Sequence, residues 1–253
     1  MGKIISIINQ KGGVGKTTTA VNLAAYLADS GHRTLLVDED AQGNATSGLS
    51  MDTSRFDATL YDVLIDGVPA EEAAYRTEVK KLSLLPASID LAGAEVEMVD
   101  IPDRETLLRR VLAPLRDRYD YILIDCPPSL GLMTVNALTA ADMVLIPIQA
   151  EFYALEGLSQ LMKTVQAVKK RLNPELELLG ILVTMYDGRT NLAVQVSEEV
   201  KKYFGKKVFK TMIPRAVKLS EAPSFGEPIV RYAPKSKGAA AYKSLCQEVL
   251  KRV

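Results

Sequence analysis

Near its start the chain carries a segment, residues 9–20, that combines small, basic and hydroxyl side chains in the order NQKGGVGKTTTA. An apolar run precedes this segment, and a helical pattern begins at about Lys16, so the glycines fall in a turn between a strand and a helix. Backbone N–H groups in such a turn, together with the helix N-terminus, attract a phosphate group. The segment therefore predicts a phosphate-binding loop. Its members are Gly12, Gly13, Val14, Gly15, Lys16, Thr17 and Thr18.

This loop departs from the usual phosphate-loop pattern, G-x-x-x-x-G-K-[ST]. Gly15, Lys16 and Thr17 supply the end of the pattern, but Gln10 stands where its first glycine belongs, and a second lysine, Lys11, follows. We expect Lys16 to bridge the β- and γ-phosphates of a nucleotide, Thr17 to ligate Mg²⁺, and Thr18 to reach the α-phosphate. The residues alone leave Lys11 open between a solvated loop lysine and a phosphate ligand.

Acidic side chains end two other apolar runs. Residues 35–44, LLVDEDAQGN, place Asp38, Glu39 and Asp40 together, and residues 119–129, YDYILIDCPPS, place Asp125 at the end of the second run. Open α/β sheets carry their ligand chemistry at the carboxyl ends of the strands, where an acid can hold Mg²⁺. Asp125 is therefore a predicted magnesium ligand. Glu39 adds a third negative charge beside Asp38 and Asp40, although neighbours along an extended strand point to opposite sides.

Short apolar runs rich in Val and Ile predict strands that are buried on both faces. They cover residues 4–8, 34–37, 82–85, 121–124, 143–148, 178–184 and 208–213. Helical patterns separate most of them, at residues 16–30, 155–172 and 191–204. This alternation predicts a doubly wound α/β fold with a mostly parallel sheet and helices on both faces. We expect one domain over residues 1–253, with residues 50–81 as a surface excursion.

Composition narrows the function classes. The formal net charge is zero, so any contact with nucleic acid needs a local basic patch. The two cysteines, Cys126 and Cys246, lie far apart, which argues against a disulfide framework or a structural zinc site and suits a reducing compartment. With no signal peptide and no apolar run long enough to cross a membrane, we expect a cytoplasmic protein.

The segment KGGVGKTT resembles the deviant Walker A loop of the ParA/MinD superfamily of ATPases. The segment DEDAQGN is similar to a second motif of that superfamily, D-x-D-P-Q-G-N, except that Ala41 replaces the usual proline, and DCPP matches a third, D-x-P-P. The resemblance implies a P-loop NTPase fold, ATP and Mg²⁺, and a homodimer that holds two ATP molecules between facing subunits.

The same resemblance implies roles for individual residues. Lys11 reaches the nucleotide of the partner subunit, Asp40 orients the attacking water, and Asp38 supports the magnesium shell. Met185 and Pro214 match positions that pack against the adenine in relatives. The implied catalytic residues are Lys11, Lys16 and Asp40, and the implied metal-site residues are Thr17, Asp38 and Asp125.

Residues 151–157, EFYALEG, and 219–224, LSEAPS, are similar to the chromosome-partitioning ParA/Soj branch. This branch implies slow ATP hydrolysis, ATP-dependent binding to non-specific DNA on the nucleoid, and stimulation by a ParB/Spo0J-type centromere-binding protein. Arg189 and Lys218 match basic positions that relatives use for DNA. Further candidate phosphate contacts are Arg215, Arg231, Lys235 and Lys237. Because the chain begins at its first strand, we expect no operator-binding helix-turn-helix extension.

Two other classes remain open. A MinD-type membrane-cycling ATPase would need a C-terminal amphipathic helix with a free apolar face. Residues 242–253 are amphipathic, yet Tyr242, Leu245 and Val249 suit a helix that closes the core, so we expect no membrane partner. An electron-transfer protein with a bridging iron–sulfur cluster would need two cysteines per subunit at the cluster, which the positions of Cys126 and Cys246 do not favour.

Overall fold

We describe a computed structural model of the chain, covering residues 1–49, 56–151 and 154–253. Within these residues a seven-stranded sheet has the order β3-β4-β2-β5-β1-β6-β7. The strands are β1 (Lys3–Ile7), β2 (Thr34–Asp38), β3 (Tyr75–Arg76), β4 (Leu82–Leu85), β5 (Tyr121–Asp125), β6 (Met143–Gln149) and β7 (Glu177–Thr184). All neighbouring pairs are parallel except β3 with β4. The predicted mostly parallel sheet is confirmed, as are six of its seven predicted strands.

Helices cover both faces of this sheet. They are α1 (Lys16–Asp29), α2 (Asn44–Ser47), α3 (Leu91–Glu97), α4 (Leu107–Leu112), α5 (Leu132–Ala140), α6 (Ala154–Arg171), α7 (Asn191–Phe204), α8 (Val217–Glu221), α9 (Ile229–Tyr232) and α10 (Lys237–Leu250). Successive side chains of β1 enter opposite cores: Ile4 packs with the cluster under α5, α6 and α7, and Ile5 with the cluster under α1 and α10. This alternation explains why the strands are apolar throughout, and it confirms the doubly wound architecture.

The register of the central strands positions the site. Asp125 at the end of β5 pairs with Ile7 of β1 on one side and with Asp38 of β2 on the other. The carboxyl ends of these three strands are therefore level. As a result, the glycine-rich loop after β1, the acidic turn after β2 and the loop after β5 leave the sheet side by side.

The predicted strand over residues 208–213 is wrong. This segment runs beside β7 and meets it at an isolated bridge between Ile181 and Val208. The amides of Phe209 and Ile213 also donate to β7 carbonyls, both at 2.9 Å, but no continuous ladder forms. The amides of Lys210 and Thr211 donate to the carboxylate of Glu248 in α10, at 2.9 and 3.0 Å. Because a distant side chain takes these donors, the backbone ladder is interrupted, and the apolar pattern of the segment could not reveal that competitor.

The predicted surface excursion needs a correction as well. Residues 50–55 lie outside the described residues, but the rest of the segment contributes a π-helical turn (Asp62–Asp66) and the edge strand β3. Leu60, Val63 and Leu64 are at most 5% exposed and join the core. Part of this irregular segment therefore belongs to the hydrophobic core.

The C-terminal helix α10 turns its apolar face inward. Tyr242, Leu245 and Val249 are buried, and α10 packs along α1. The Tyr242 hydroxyl lies 3.3 Å from the hydroxyl of Thr19 in α1. No helix in the described part of the chain is long and apolar enough to cross a membrane.

Candidate nucleotide site

The loop between β1 and α1 has the shape of an anion cradle. Gly13 and Gly15 adopt positive φ angles of 73° and 82°, a conformation that favours glycine. A Cβ atom on Gly12 or Gly13 would meet nothing within 4 Å, so the inner side of the loop is open space. Gly15 stands directly before the first turn of α1, whose free N–H groups face the same space.

Two side chains that the sequence analysis missed hold this loop on the sheet. The Thr184 hydroxyl at the end of β7 lies 2.7 Å from the Val14 carbonyl and 3.0 Å from the Ile148 carbonyl. Asn9 donates to the Pro147 carbonyl at 2.7 Å and accepts from the Lys11 amide at 2.9 Å. Their only sequence signal is a polar residue at the end of an apolar run.

Lys16 points its ammonium group into the cradle. Its side chain is 6% exposed, and Nζ donates to the Lys11 carbonyl at 3.3 Å. Burial lowers the pKa of Lys16, and the charges of Asp125 and Asp40 oppose that shift. A buried ammonium with one weak acceptor retains two donors for an anion.

A cavity of 510 Å³ joins most of the predicted residues, a volume within the usual range for small-molecule sites. A second cavity, of 330 Å³, shares Gly15, Thr18 and Met185 with it and adds Pro214. Met185 and Pro214 therefore lie beside the phosphate loop, where a base would extend. The predicted residues lining the first cavity are Gly12, Gly13, Gly15, Lys16, Thr17, Thr18, Asp40 and Met185; Lys11, Val14, Asp38, and Asp125 do not line it.

Asp125 is the strongest sign of an absent cation. It is completely buried, and neither carboxylate oxygen has a hydrogen-bond partner. Burial raises the pKa of Asp125 well above its usual range, and Asp38 adds to the rise, whereas the nearby Thr17 hydroxyl and the Lys16 charge lower it. A buried carboxylate without a partner is costly unless a cation neutralises it. The residues around it fit Mg²⁺, which takes one or two carboxylates and completes its shell with water and phosphate oxygens.

Asp38 has a different environment from Asp125. One oxygen accepts from the Thr46 amide at 2.8 Å and from the Thr46 hydroxyl at 2.7 Å, and the other accepts from the Asp40 amide at 3.3 Å. Burial raises the pKa of Asp38 to about 6, although these hydrogen bonds oppose the rise. Here Asp38 holds the turn that carries Asp40, so its predicted place in the magnesium shell remains a prediction.

Asp40 lies on the turn after β2 and faces the cavity. One of its carboxylate oxygens accepts from the Gln42 amide at 3.0 Å, and its carbonyl accepts from the Gly43 amide at 2.8 Å. These bonds close the turn without the proline that is usual at the Ala41 position. The carboxylate is partly exposed and retains free lone pairs for a water molecule.

Glu39, between these two aspartates, points away from the cavity. It is 1% exposed, and neither of its carboxylate oxygens has a hydrogen-bond partner. Burial raises its pKa well above the usual range and the charge of Glu95 adds to the rise, whereas the contact with the Cys126 thiol lowers it. The buried Cys126 thiol lies beside it, with a pKa also raised by burial and by Glu39. Cys126 is thus a buried, unreactive filler.

Lys11 is turned away from the phosphate loop of its own chain. Its side chain is 53% exposed, and its ammonium pairs with the carboxylate of Glu151, in the loop between β6 and α6. The neighbouring Gln10 donates to Gln160 of α6 at 3.3 Å. Lys11 therefore stands on the surface, available to a second molecule once it leaves Glu151.

The two favoured DNA contacts are exposed but paired. Arg189 makes a bidentate pair with Asp187, at 2.9 and 2.7 Å, and this pair lowers the pKa of Asp187 to about 2. Lys218 donates to Glu221 at 2.8 Å and lies 5.5 Å from the centre of the Tyr232 ring. Exposed ion pairs of this kind are weak, so either base could exchange its partner for a phosphate.

Comparison with known proteins places this geometry in a family. The family described as an AAA domain matches residues 2–178. The chain is 58% identical, over 98% of both chains, to the sporulation initiation inhibitor protein Soj of Bacillus subtilis. It is 57% identical to the chromosome partitioning protein ParA of Myxococcus xanthus, covering 100% of this chain and 89% of that one. This chain also aligns with the structure of cobyrinic acid a,c-diamide synthase from Mycobacterium smegmatis, which contains a bound ATP analog and magnesium. The TM-score is 0.89 and the sequence identity 39%, over 99% of this chain and 95% of that one.

Proposed function

Because the chain belongs to the Soj/ParA family of chromosome-partitioning ATPases, within the ParA/MinD superfamily, we propose that it is a Mg²⁺-dependent ATP hydrolase that partitions DNA. The observation that carries this proposal is the buried carboxylate of Asp125, which has no hydrogen-bond partner and lies beside Lys16 and Thr17, two residues that line the open cavity at the glycine cradle. The 57% identity to a chromosome partitioning protein, against 39% to the cobyrinic acid enzyme, favours partitioning over amide synthesis.

Each group in the cradle has a role in this reaction. The loop amides from Gly12 to Thr18 bind the phosphates, and Lys16 neutralises charge between the β- and γ-phosphates. Thr17 and Asp125 hold Mg²⁺, with Asp38 fixing the acidic turn behind them. Bound Mg²⁺ stabilises negative charge on the phosphate oxygens. Met185 and Pro214 flank the base.

Asp40 acts on the water. Its carboxylate faces the cavity from the turn after β2, and the turn is fixed by hydrogen bonds rather than by a proline. The carboxylate orients the attacking water by accepting a hydrogen bond from it, and can take up the proton as the water oxygen bonds to the γ-phosphorus. Positioning of this kind gives slow turnover until a partner improves the geometry, consistent with stimulation by a ParB-type centromere-binding protein.

We also propose that ATP binding assembles a dimer. Lys11 does not line the cavity of its own chain and stands on the surface, paired with Glu151. In the dimer, Lys11 would leave Glu151 and bind the phosphates held by the partner subunit. The dimer would persist only while the γ-phosphate is present, because that charge offsets the lysines brought together.

The proposed ATP-dependent dimerisation also accounts for the DNA contacts. Arg189 and Lys218 follow Met185 and Pro214 by four residues each, and both basic side chains are exposed. A dimer presents each of them twice, and affinity for a polyanion rises steeply with the number of phosphate contacts. ATP would therefore control residence on non-specific DNA of the nucleoid, with residues 1–253 acting as one ATPase domain in the cytoplasm.

The test is binding to random-sequence DNA with ATP, with ADP and without nucleotide, across a salt series. We expect tight, salt-sensitive binding with ATP alone. Equal DNA binding in all three nucleotide states would contradict the control of DNA binding by ATP. No binding in any state, with ATP hydrolysis intact, would remove DNA as the track and favour a membrane-cycling role, which lipid vesicles would then test.

A further inference from the structure

The helix α3 and its flanking turns have two apolar faces. The inner face packs into the core through Leu91, Ala94 and Met98. The outer face consists of Ile89, Ala92, Val96 and Val99, which are all exposed. Of these, Ile89 is 74% exposed, Val96 76% and Val99 54%. Single exposed apolar residues are ordinary, but four on one stripe are a surface feature of the kind that marks an interaction site.

The spacing of this α3 outer face is that of a helix-pairing seam. Its members follow each other at intervals of three, four and three residues. This is the pattern through which one helix packs along another. Ala92, the small residue near the middle, allows a partner helix to approach closely. The stripe therefore fits a helix better than an extended strand.

Acidic side chains surround the α3 outer face. Residues 89–105 contain six acidic residues and one basic residue. Asp90, Glu97, Asp100 and Asp103 are exposed, and none of them forms an ion pair with any residue that the structure describes. The one base, Arg104, is already engaged, since it donates to the Val99 carbonyl and pairs with Glu105 at 3.4 Å.

We propose that the α3 outer face binds an amphipathic helix of a partner protein, with apolar residues on one side and lysines or arginines flanking them. The acidic residues around the α3 outer face, which form its rim, favour this partner. A second copy of this chain docked through the same face would bring two rims of unpaired carboxylates together, and like charges at an interface oppose association. A basic helix would neutralise the rim and cover the four apolar side chains in a single contact.

The inner side of α3 connects this surface to the nucleotide site. Glu95 accepts from the Met133 amide at 3.0 Å and lies against Gly131, at the start of α5. That start follows the loop from Asp125. Immediately before α3, the Ala87 amide donates to the Thr46 hydroxyl at 3.2 Å, and this hydroxyl holds Asp38. A helix bound to α3 would therefore press on both acidic loops of the site.

The experiment uses the full chain and three labelled synthetic peptides of equal length, followed by fluorescence anisotropy. The first carries leucines at seam spacing with lysines and arginines between them. The second replaces those bases with glutamates, and the third keeps the bases but scatters the leucines. We expect binding of the first peptide at least roughly tenfold tighter than either control, a difference of about 1.4 kcal/mol. Binding needs no nucleotide, so the result is independent of the proposed ATPase and DNA functions.

Surface variants locate the contact. The double substitution Val96→Ser with Val99→Ser should weaken the first peptide roughly tenfold, and Asp100→Lys should weaken it and reduce its salt dependence. Tyr203→Ser, at a 70% exposed position on α7, is the matched control and should change nothing. Circular dichroism verifies that each variant is folded.

Three results would overturn the proposal. Equal binding of the basic and acidic peptides would remove the charge argument. Unchanged binding by the Val96 and Val99 double variant would place the contact elsewhere. Self-association that the double variant abolishes, in sedimentation without peptide, would assign this face to a second copy of the chain.

Discussion

Replacing Glu39 by methionine should stabilise the nucleotide-free protein, although it removes a charged group beside the site. Glu39 is 1% exposed, and both of its carboxylate oxygens lack hydrogen-bond partners. Even a protonated carboxyl in that position leaves polar atoms unsatisfied, at a cost of about 1–3 kcal/mol. Methionine has a similar length and no such atoms, and its flexible side chain fits an irregular space.

The gain in stability from Glu39→Met should also depend on pH. The usual pKa of glutamate is 4.5, and burial raises that of Glu39 well above it. Between these two values the folded state holds a proton that the unfolded state has lost, so the folded state loses stability as the pH rises. The loss attributable to Glu39 is about 1.4 kcal/mol per pH unit until the pH passes the folded-state pKa. The advantage of Glu39→Met should therefore grow as the pH rises above 4.5, until the pH passes the folded-state pKa.

Urea unfolding at pH 5.5, 6.5 and 7.5, without nucleotide or Mg²⁺, measures this difference. Asp38 and Asp125 are present in both proteins, so their own titration largely cancels. Glu198→Met, at an exposed position on α7, is the matched control and should stay within about 0.5 kcal/mol of the parent. A Glu39→Met protein that is less stable than the parent, or whose advantage does not change with pH, would refute the reasoning, because Glu39 would then have a stabilising partner.

Four further substitutions test the site and the DNA surface. Lys16→Ala should abolish measurable ATP binding in calorimetry, because it removes the buried ammonium from the phosphate cradle; an unchanged dissociation constant would place the phosphates elsewhere. Arg189→Ala and Lys218→Ala should each weaken DNA binding by the same factor for all DNA sequences. Each should also reduce the slope of the logarithm of the binding constant against the logarithm of the salt concentration by about 1–2 for a dimer. An unchanged slope would show that the substituted residue does not contact DNA. Thr46→Val keeps the shape of the side chain but removes the hydroxyl that donates to Asp38. It should lower the free energy of unfolding, measured by urea titration, by about 2–4 kcal/mol. A loss smaller than the experimental error would mean that water replaces the hydroxyl.

Much of the fold was predictable because its signals are local. A strand buried on both faces is a continuous apolar run, and the carboxyl ends of parallel strands meet at one edge, so Asp38, Asp40 and Asp125 could be placed near the glycine loop. The glycines and Lys16 form one contiguous motif. These predictions required no knowledge of which distant side chain lies opposite.

The remainder depends on pairs that are far apart in the chain. Glu248 captures two amides of the segment 208–213, and nothing in that segment indicates it. The pairing of Lys11 with Glu151 joins residues 140 positions apart. The sequence shows Glu39 only as one of three acids at the end of an apolar run, and its burial beside Cys126 appears only in the folded chain.

The central claim is that ATP assembles a dimer through this site, and Asp40→Ala tests it most directly. This variant keeps the phosphate cradle, Lys16 and Asp125 but lacks the carboxylate that orients water. In sedimentation velocity with ATP and Mg²⁺ we predict a stable dimer and no turnover, a monomer with ADP, and a monomer with ATP once Lys11→Ala is added. An Asp40→Ala protein that remains a monomer with saturating ATP would contradict the account.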